Sequence, residues 1–383
     1  MDDIPGLDLR CGDAAAVLAG LPDESVHCCC TSPPYYGLRA YLPGTHAARA
    51  LEIGHEATPA AYVARLLAVF RAVWRVLRAD GTLFVVLGDS YGREREKSLC
   101  GIPWRVAFAL MDAGWILRND AIWHKASAMP SSVRDRWTLA HEYVFFFTKQ
   151  ARYAFDLGAI LEPATYGGDV QTLGAKSFSR GQAAGLGLAP WGNGLASTYT
   201  IPEWRHPRDV FRVPYEPTSE AHYAPFPAAL IRPLLAAGCP ERLCATCGRA
   251  WQRRGTRPLG APPASHRGSS LARGKTGVNG LGRAQQEPRT TCGPGHLVPG
   301  CACAGGTVPG VVLDPFLGSG TTAAAALAMG RHALGIELSA DYLALARRRC
   351  ARAYYEGMHG LEHHVAQAVD GQLAFAYDAE ESG

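Results

Sequence analysis

The stretch Val311-Val312-Leu313-Asp314-Pro315-Phe316-Leu317-Gly318-Ser319-Gly320-Thr321-Thr322 decides the fold. Its first four residues read as a buried strand. A glycine-rich turn follows, then an alanine-rich helix to Met329. After Gly330 a second strand runs from His332 to Ile336 and ends at Glu337. Strand, glycine turn, helix, strand and terminal acid make one nucleotide-binding unit. Glycines let the backbone approach a ligand closely. A helix N-terminus favours a negative group, and an acid at the end of the next strand accepts hydrogen bonds from ribose hydroxyls. Glu337 stands close to the expected spacing, about 20 residues beyond the turn. Gly318, Gly320 and Ala323 also satisfy the loose dinucleotide fingerprint, so this stretch alone leaves a nicotinamide cofactor open.

Outward from this unit the same alternation continues. Leu7 to Arg10 reads as a strand ending at Gly12-Asp13, and Asp13 is the expected N-cap of a helix from Ala14 to Leu21. Ser25 to Cys30 is a short apolar strand. Thr58-Pro59 starts a helix, with a capping hydroxyl and proline at the first position. Val63, Leu66, Leu67, Phe70, Val73, Trp74 and Leu77 give it one apolar face, and Asp80-Gly81 is its expected stop. Thr82 to Leu87 is a strand ending in Gly88-Asp89-Ser90-Tyr91, and Ile102 to Asp112 a helix. Trp115 to Trp123 and Tyr143 to Thr148 read as an antiparallel pair at a sheet edge. Helical character returns after Pro227. Helices alternating with apolar strands mean an α/β fold with a mostly parallel sheet. Residues 157–204 and 249–290 lack this periodicity and read as irregular insertions.

A second stretch carries chemistry: Thr31-Ser32-Pro33-Pro34-Tyr35-Tyr36-Gly37-Leu38-Arg39. Two prolines cannot continue a strand ladder. They make a rigid corner at a strand C-terminus, where ligand sites of open α/β sheets lie. Ser32 offers a hydroxyl, Pro33 a carbonyl without a ladder partner, and Tyr35 a flat ring. Together they suit an amino group on an aromatic ring.

Composition narrows the classes. The chain has 383 residues, 48% hydrophobic, with net charge +4. No apolar run approaches a membrane span, and the acidic start Met1-Asp2-Asp3-Ile4-Pro5 lacks a signal-peptide pattern, so the cytoplasm is the expected compartment. Twelve cysteines without a secretion signal argue against a disulfide framework. Cys28, Cys29 and Cys30 fit buried core thiols. Cys244-x-x-Cys247 and Cys301-x-Cys303 offer four thiolates suited to a structural zinc, with Cys239 and Cys292 as substitutes; four reduced thiols without metal is the alternative. Arg249, Arg253, Arg254, Arg257, Arg267, Arg273, Lys275, Arg283 and Arg289 face a single acid, Glu287, across residues 249–290. That stretch reads as a solvated insertion able to contact phosphates.

Ser32-Pro33-Pro34-Tyr35 and Asp314-Pro315-Phe316-Leu317-Gly318-Ser319-Gly320-Thr321 together resemble the catalytic and S-adenosylmethionine motifs of DNA amino-methyltransferases, which methylate the exocyclic N4 of cytosine or N6 of adenine. The order, catalytic motif first, is similar to the circularly permuted β-type members. Gly12-Asp13, Gly88-Asp89-Ser90, Trp123-His124-Lys125, His141 to Phe145 and Phe226-Pro227 extend the resemblance over most of the chain. It implies a Rossmann-like methyltransferase fold. Residues 1–150 would be the catalytic half and 151–215 the target-recognition segment. Residues 216–240 would carry a helix closing the cofactor pocket, 241–305 a cysteine-containing basic insertion, and 306–383 the cofactor-binding half with a tail. It implies that Asp13, Thr31, Asp314, Pro315, Phe316, Gly318, Ser319, Gly320, Thr321, Thr322 and Glu337 hold the cofactor and that Phe226 and Pro227 help close the pocket. Ser32, Pro33, Pro34 and Tyr35 would act on a base flipped out of double-stranded DNA. Serine before Pro-Pro is more typical of N4-cytosine enzymes, so cytosine is expected, with adenine and a catalytically inactive zinc-dependent DNA-binding module as alternatives. Double-stranded DNA is the expected partner, a cognate restriction endonuclease is a further candidate that the sequence leaves open, and the protein is expected to be a monomer or homodimer.

Overall fold

The computed structural model describes residues 4–38, 40–92, 96–128, 130–166, 170–173, 197–200, 202–215, 226–254 and 294–369. In chain order the elements are β1 (Leu7–Cys11), α1 (Ala14–Ala19), β2 (Val26–Thr31), α2 (Pro59–Val76), β3 (Leu77–Leu87), α3 (Ile102–Asp112), β4 (Ile116–Lys125) and β5 (His141–Thr148). Short strands follow: β6 (Glu162–Pro163), β7 (Val170–Leu173), β8 (Ser197–Thr200), β9 (Trp204–Arg205) and β10 (Val210–Val213). Then come α4 (Ala228–Gly238), β11 (Leu243–Cys244), β12 (Gln252–Arg254), β13 (His296–Val298), β14 (Thr307–Val308), β15 (Val311–Asp314), α5 (Thr321–Ala328), β16 (His332–Glu337) and α6 (Ala340–Val369).

The chain forms two units. The first comprises residues 1–156, 208–251 and 299–383. Its eight-stranded sheet has the order β1-β16-β15-β2-β3-β5-β4-β10. Only β5 runs against the rest. The antiparallel β4–β5 pair appears as expected, but β10 adds in parallel to β4 and takes the edge instead. Its four residues make too short a run to stand out as a strand.

Side-chain alternation explains the two-faced core. Cys29, Leu83, Val85, Leu87, Phe145 and Phe147 point to one face, against Leu18, Tyr62, Leu66, Phe70 and Val73 and against Ile102, Val106 and Leu110 of α3. Cys28, Cys30, Phe84, Val86, Val144 and Phe146 point to the other, against Leu230, Ile231, Leu234 and Leu235 of α4, the alanines of α5, and Ala346 and Cys350. Helices on both sides make this a doubly wound sheet. The Thr58 hydroxyl caps α2 by accepting from the Ala61 amide at 3.2 Å. α2 ends at Val76, earlier than its sequence suggests, and Asp80-Gly81 lies inside β3. A Cβ at Gly81 would meet the Leu77 side chain at 2.8 Å, so this glycine answers a close approach rather than a helix stop. α1 likewise stops at Ala19, with Gly20 as its C-cap.

The second unit comprises residues 157–207 and 252–298, the two aperiodic stretches. It holds three two-stranded antiparallel ribbons, β6–β9, β7–β8 and β12–β13. The Arg205 guanidinium pairs with Glu162 across β6–β9 at 3.0 Å. Gly158 lies so close to Arg253 and to the Pro294 carbonyl that a Cβ would clash with both, which ties the two segments together. Arg257, Arg267, Arg273, Lys275, Arg283, Arg289 and Cys292 lie outside the described residues. No helix among the described residues is long and apolar enough to cross a membrane.

Candidate active site

Because β1, β2, β3, β15 and β16 run in parallel, their C-terminal ends meet on one side of the sheet. A cavity of about 510 Å³ opens there. Ser32, Pro33, Pro34, Tyr35, Asp13, Phe226, Pro315, Phe316, Gly318, Ser319, Thr321 and Glu337 all line it. The Ser32–Tyr35 corner and the glycine turn, far apart in sequence, therefore face one space.

The turn is held from behind. Asp314 is 2% exposed. Its Oδ1 accepts from the Thr31 hydroxyl at 2.6 Å and from the Phe316 amide at 3.1 Å. Burial raises its carboxyl to about 6, against the pull of these donors. Its Oδ2 has no partner among the described residues. Thr31 and Asp314, with Gly320, Thr322 and Pro227, do not line the cavity; the first two brace it. Glu337 does line it, and its carboxylate accepts from the Gly318 amide at 2.8 Å and the Ser339 amide at 2.9 Å. Burial pushes the Glu337 carboxyl up. Gly318 has φ +54° and open space where a Cβ would stand, so the turn leaves a cradle at the cavity wall. Gly320 has φ +84°, and a Cβ there would lie 2.8 Å from that of Ala346, which lets α6 pack on the start of α5. A flat Phe316 ring, a fixed acid and an open glycine cradle fit a nucleoside cofactor with ribose hydroxyls. Asp13 caps α1, accepting from the Ala16 amide at 3.0 Å, and still faces the cavity.

The corner is equally constrained. The Tyr62 hydroxyl donates to the Pro34 carbonyl at 2.8 Å. Among the described residues nothing donates to the Pro33 carbonyl, which stays available as an acceptor. The Tyr35 hydroxyl donates to Glu142 Oε2 at 2.5 Å, and the Ser32 hydroxyl lies 3.5 Å from the Tyr35 oxygen. Glu142 is also ion-paired with Lys125, both largely buried. The Lys125 ammonium sits 5.3 Å from the ring centres of Trp123 and Tyr215. Burial alone would lower Lys125; contact with Glu142 outweighs it and leaves the ammonium raised. Burial, then the Glu142 charge, raises the Tyr35 phenol well above its ordinary range. Glu142, Lys125, Trp123 and Tyr215 were given no role from sequence. The available signal was a lone acid in the apolar run His141 to Thr148 and a lysine ending β4.

The sulfurs of Cys244, Cys247, Cys301 and Cys303 all lie within 4.8 Å of one another. β11 pairs with β14, and the Gly248 amide donates to the Cys244 carbonyl at 2.8 Å in a tight knuckle. The backbone amides of Cys247 and Thr246 lower the Cys244 thiol to about 6. This set of thiols can hold a tetrahedral ion such as zinc. Cys239 is buried apart from it.

Comparison with known proteins now places the molecule. A family model described as DNA methylase, covering N6 and N4 enzymes, matches residues 26–242 and 302–348. The chain belongs to the N6/N4 DNA methylase family. It is thus an S-adenosylmethionine-dependent DNA methyltransferase, and the nicotinamide reading of the glycine turn is set aside. The type II methyltransferase M.XycI of Xanthomonas campestris pv. cyanopsidis is 37% identical over 250 residues, 58% of this chain and 70% of that one. The type II methyltransferase M.SmaI of Serratia marcescens is 29% identical over 367 residues, 89% of each chain. The solved PvuII DNA methyltransferase, described as cytosine-N4-specific, superposes with a TM-score of 0.51 at 16% identity, covering 94% of this chain and 96% of that one; it shows the shared fold. The family match passes over residues 243–301, which hold Cys244, Cys247 and Cys301, and resumes just before Cys303.

Proposed function

We propose that the enzyme methylates the exocyclic N4 of cytosine in double-stranded DNA. The observation that carries this reading is the pair of acceptors, the Ser32 hydroxyl and the Pro33 carbonyl, the latter without a donor among the described residues, in one cavity with the glycine cradle. An exocyclic amine is a poor nucleophile because its lone pair is delocalised into the ring. Ser32 and Pro33 accept hydrogen bonds from the amine, which draws the nitrogen towards tetrahedral geometry and frees that lone pair. Tyr35 offers the base its ring face, and Glu142 fixes the tilt of that ring. S-adenosylmethionine, held by Phe316, Gly318 and Glu337, would supply an activated methyl group on a sulfonium. Rate comes from positioning and electrostatics, without a covalent enzyme intermediate. Phe316, Gly318 and Glu337 hold the nucleoside end, Asp13 faces its adenine side, and Phe226 closes the pocket.

Serine at position 32, where an acid or amide marks adenine enzymes of the family, supports cytosine. The two aperiodic segments form one compact unit, which supports target recognition by residues 151–215 helped by 240–305. A structural zinc on the four thiols would fix the base of that second segment. The type II relatives support a cognate restriction endonuclease as partner. The test is mass spectrometry of nucleosides from DNA incubated with the enzyme and isotope-labelled S-adenosylmethionine. Label in N4-methylcytosine is expected. Label in N6-methyladenine overturns the base assignment and keeps the site. Ser32→Ala and Tyr35→Ala should abolish transfer while cofactor binding survives.

A further inference from the structure

The described loop between β4 and β5, residues 126–128 and 130–140, carries an indole in an unusual place. Trp137 is 93% exposed. Its neighbours in sequence are not loose. Arg136 lies over the Tyr91 ring, 3.7 Å from its centre, and Asp135 binds the Lys97 ammonium at 2.7 Å. Tyr91 bridges to Leu99, two residues beyond Lys97. The loop is thus tied down on the two residues just before Trp137. Two residues beyond it, Leu139 lines the active-site cavity, followed by His141, Glu142 and Tyr143. Two residues span at most about 7 Å, so the backbone of Trp137 stands close to the cavity rim, with its indole exposed. Arg134 and Arg136 both precede it within three residues, Lys97 is held at the same loop through Asp135, and Asp135 is the one acid of the described loop. A patch of cations around an exposed aromatic ring complements a nucleic acid, which offers phosphates and stacked bases.

The reaction gives this position a task. The amine acceptors lie inside the cavity, so the target base has to leave the duplex stack to reach them. Its departure exposes the faces of the adjoining bases and leaves a gap one ring thick. We propose that Trp137 is the wedge that fills this gap, stacking on the neighbouring bases while Arg134 and Arg136 hold the phosphates beside it. The inference rests on DNA as substrate, and is indifferent to whether cytosine or adenine is methylated. It takes the duplex, rather than a second protein, as the occupant of this surface.

The test needs the enzyme's own target site, mapped by sequencing DNA that it has methylated. Two duplexes are then made with that site, one fully paired and one with the target base mispaired. A mispaired base is already partly unstacked and needs the wedge less. Trp137→Ala should slow single-turnover transfer to the paired duplex by about tenfold to a hundredfold, the worth of one base–aromatic stack. It should slow transfer to the mispaired duplex clearly less, and Trp137→Phe should restore much of the paired rate. S-adenosylmethionine affinity and melting temperature should not move. Unchanged transfer to the paired duplex, or an equal loss on both duplexes, overturns the proposal. So does a variant whose paired-duplex rate is normal while its oligomeric mass falls, since the indole would then serve a protein contact. Failure of the wild-type enzyme to label any DNA would instead strike at the DNA substrate itself.

Discussion

Gly88 follows β3 beside the Ser32–Tyr35 corner, and its missing side chain leaves room for the Tyr35 ring. A Cβ there would stand 2.7 Å from Cε2 of Tyr35 and 3.2 Å from the carboxylate carbon of Glu142. Relaxed carbon–carbon contact is about 3.5–4.0 Å, so Gly88→Ala must push the ring edge by about 1 Å. The ring cannot simply swing aside. Its hydroxyl is bonded to Glu142 at 2.5 Å, and its backbone follows two prolines. A misplacement of about 1 Å at a positioning group costs on the order of 10²-fold in rate. Overpacking adds a stability cost of about 1–3 kcal/mol. The cofactor cradle is built on β15 and β16, which Gly88 does not touch. Gly88→Ala should therefore lose about 100-fold in kcat, measured as labelled methyl transferred to DNA, with S-adenosylmethionine affinity by calorimetry unchanged. Tyr35→Phe in the Gly88→Ala background should recover part of the loss, because the ring, released from Glu142, can tilt. Wild-type turnover in Gly88→Ala would refute the claim that ring position limits transfer. Loss of cofactor binding would show that the two halves of the cavity are not independent.

Two buried groups give opposing pH effects. The Asp314 carboxyl is raised to about 6, so its contribution to stability is full below the unfolded pKa near 4 and is lost as pH rises through 6. His27, which accepts from the Val311 amide and joins β2 to β15, is lowered by burial and then by Arg78 to about 4; its contribution is full above about 6.5 and is lost as pH falls through 4. Each is worth about 3 kcal/mol over its window. Asp314→Asn should therefore unmask stability that rises between pH 4 and 6.5, and His27→Gln stability that falls, both read from denaturant melts. Glu142→Gln leaves Lys125 buried without its counter-charge and should cost about 3–5 kcal/mol of unfolding free energy, most of it recovered in Glu142→Gln/Lys125→Met. Elemental analysis should find zinc bound to the purified protein in a one-to-one ratio, and Cys247→Ser or Cys303→Ser should release it without weakening S-adenosylmethionine binding; full zinc in both variants would disprove the four-thiol site.

The most legible features were those whose physics is local. Thr58-Pro59 announces a helix start because cap and first-turn chemistry act within four residues. Asp13 caps α1 for the same reason. The glycine turn before α5 is readable because positive φ at Gly318 and Gly320 is a property of one residue each. Asp80-Gly81 misled because a glycine demanded by a neighbouring side chain looks, in sequence, like one that ends a helix. β10 was missed because a four-residue edge strand has too short a period to register.

By itself, the sequence determined the doubly wound class, the two motifs, their permuted order and the family. It also supplied four cysteines able to share an ion. Only the tertiary structure decided which distant groups meet. Thr31 reaches Asp314 across 283 residues because β2 and β15 are neighbours in the sheet. Glu142 reaches Tyr35 across 107 residues because β5 returns antiparallel beside β3 and brings its first turn of side chains to the cavity. The two halves of the four-thiol cluster meet because β11 and β14 pair. Such contacts depend on strand order and register, which arise from burying both faces of one sheet at once, and no local stretch of chain encodes them.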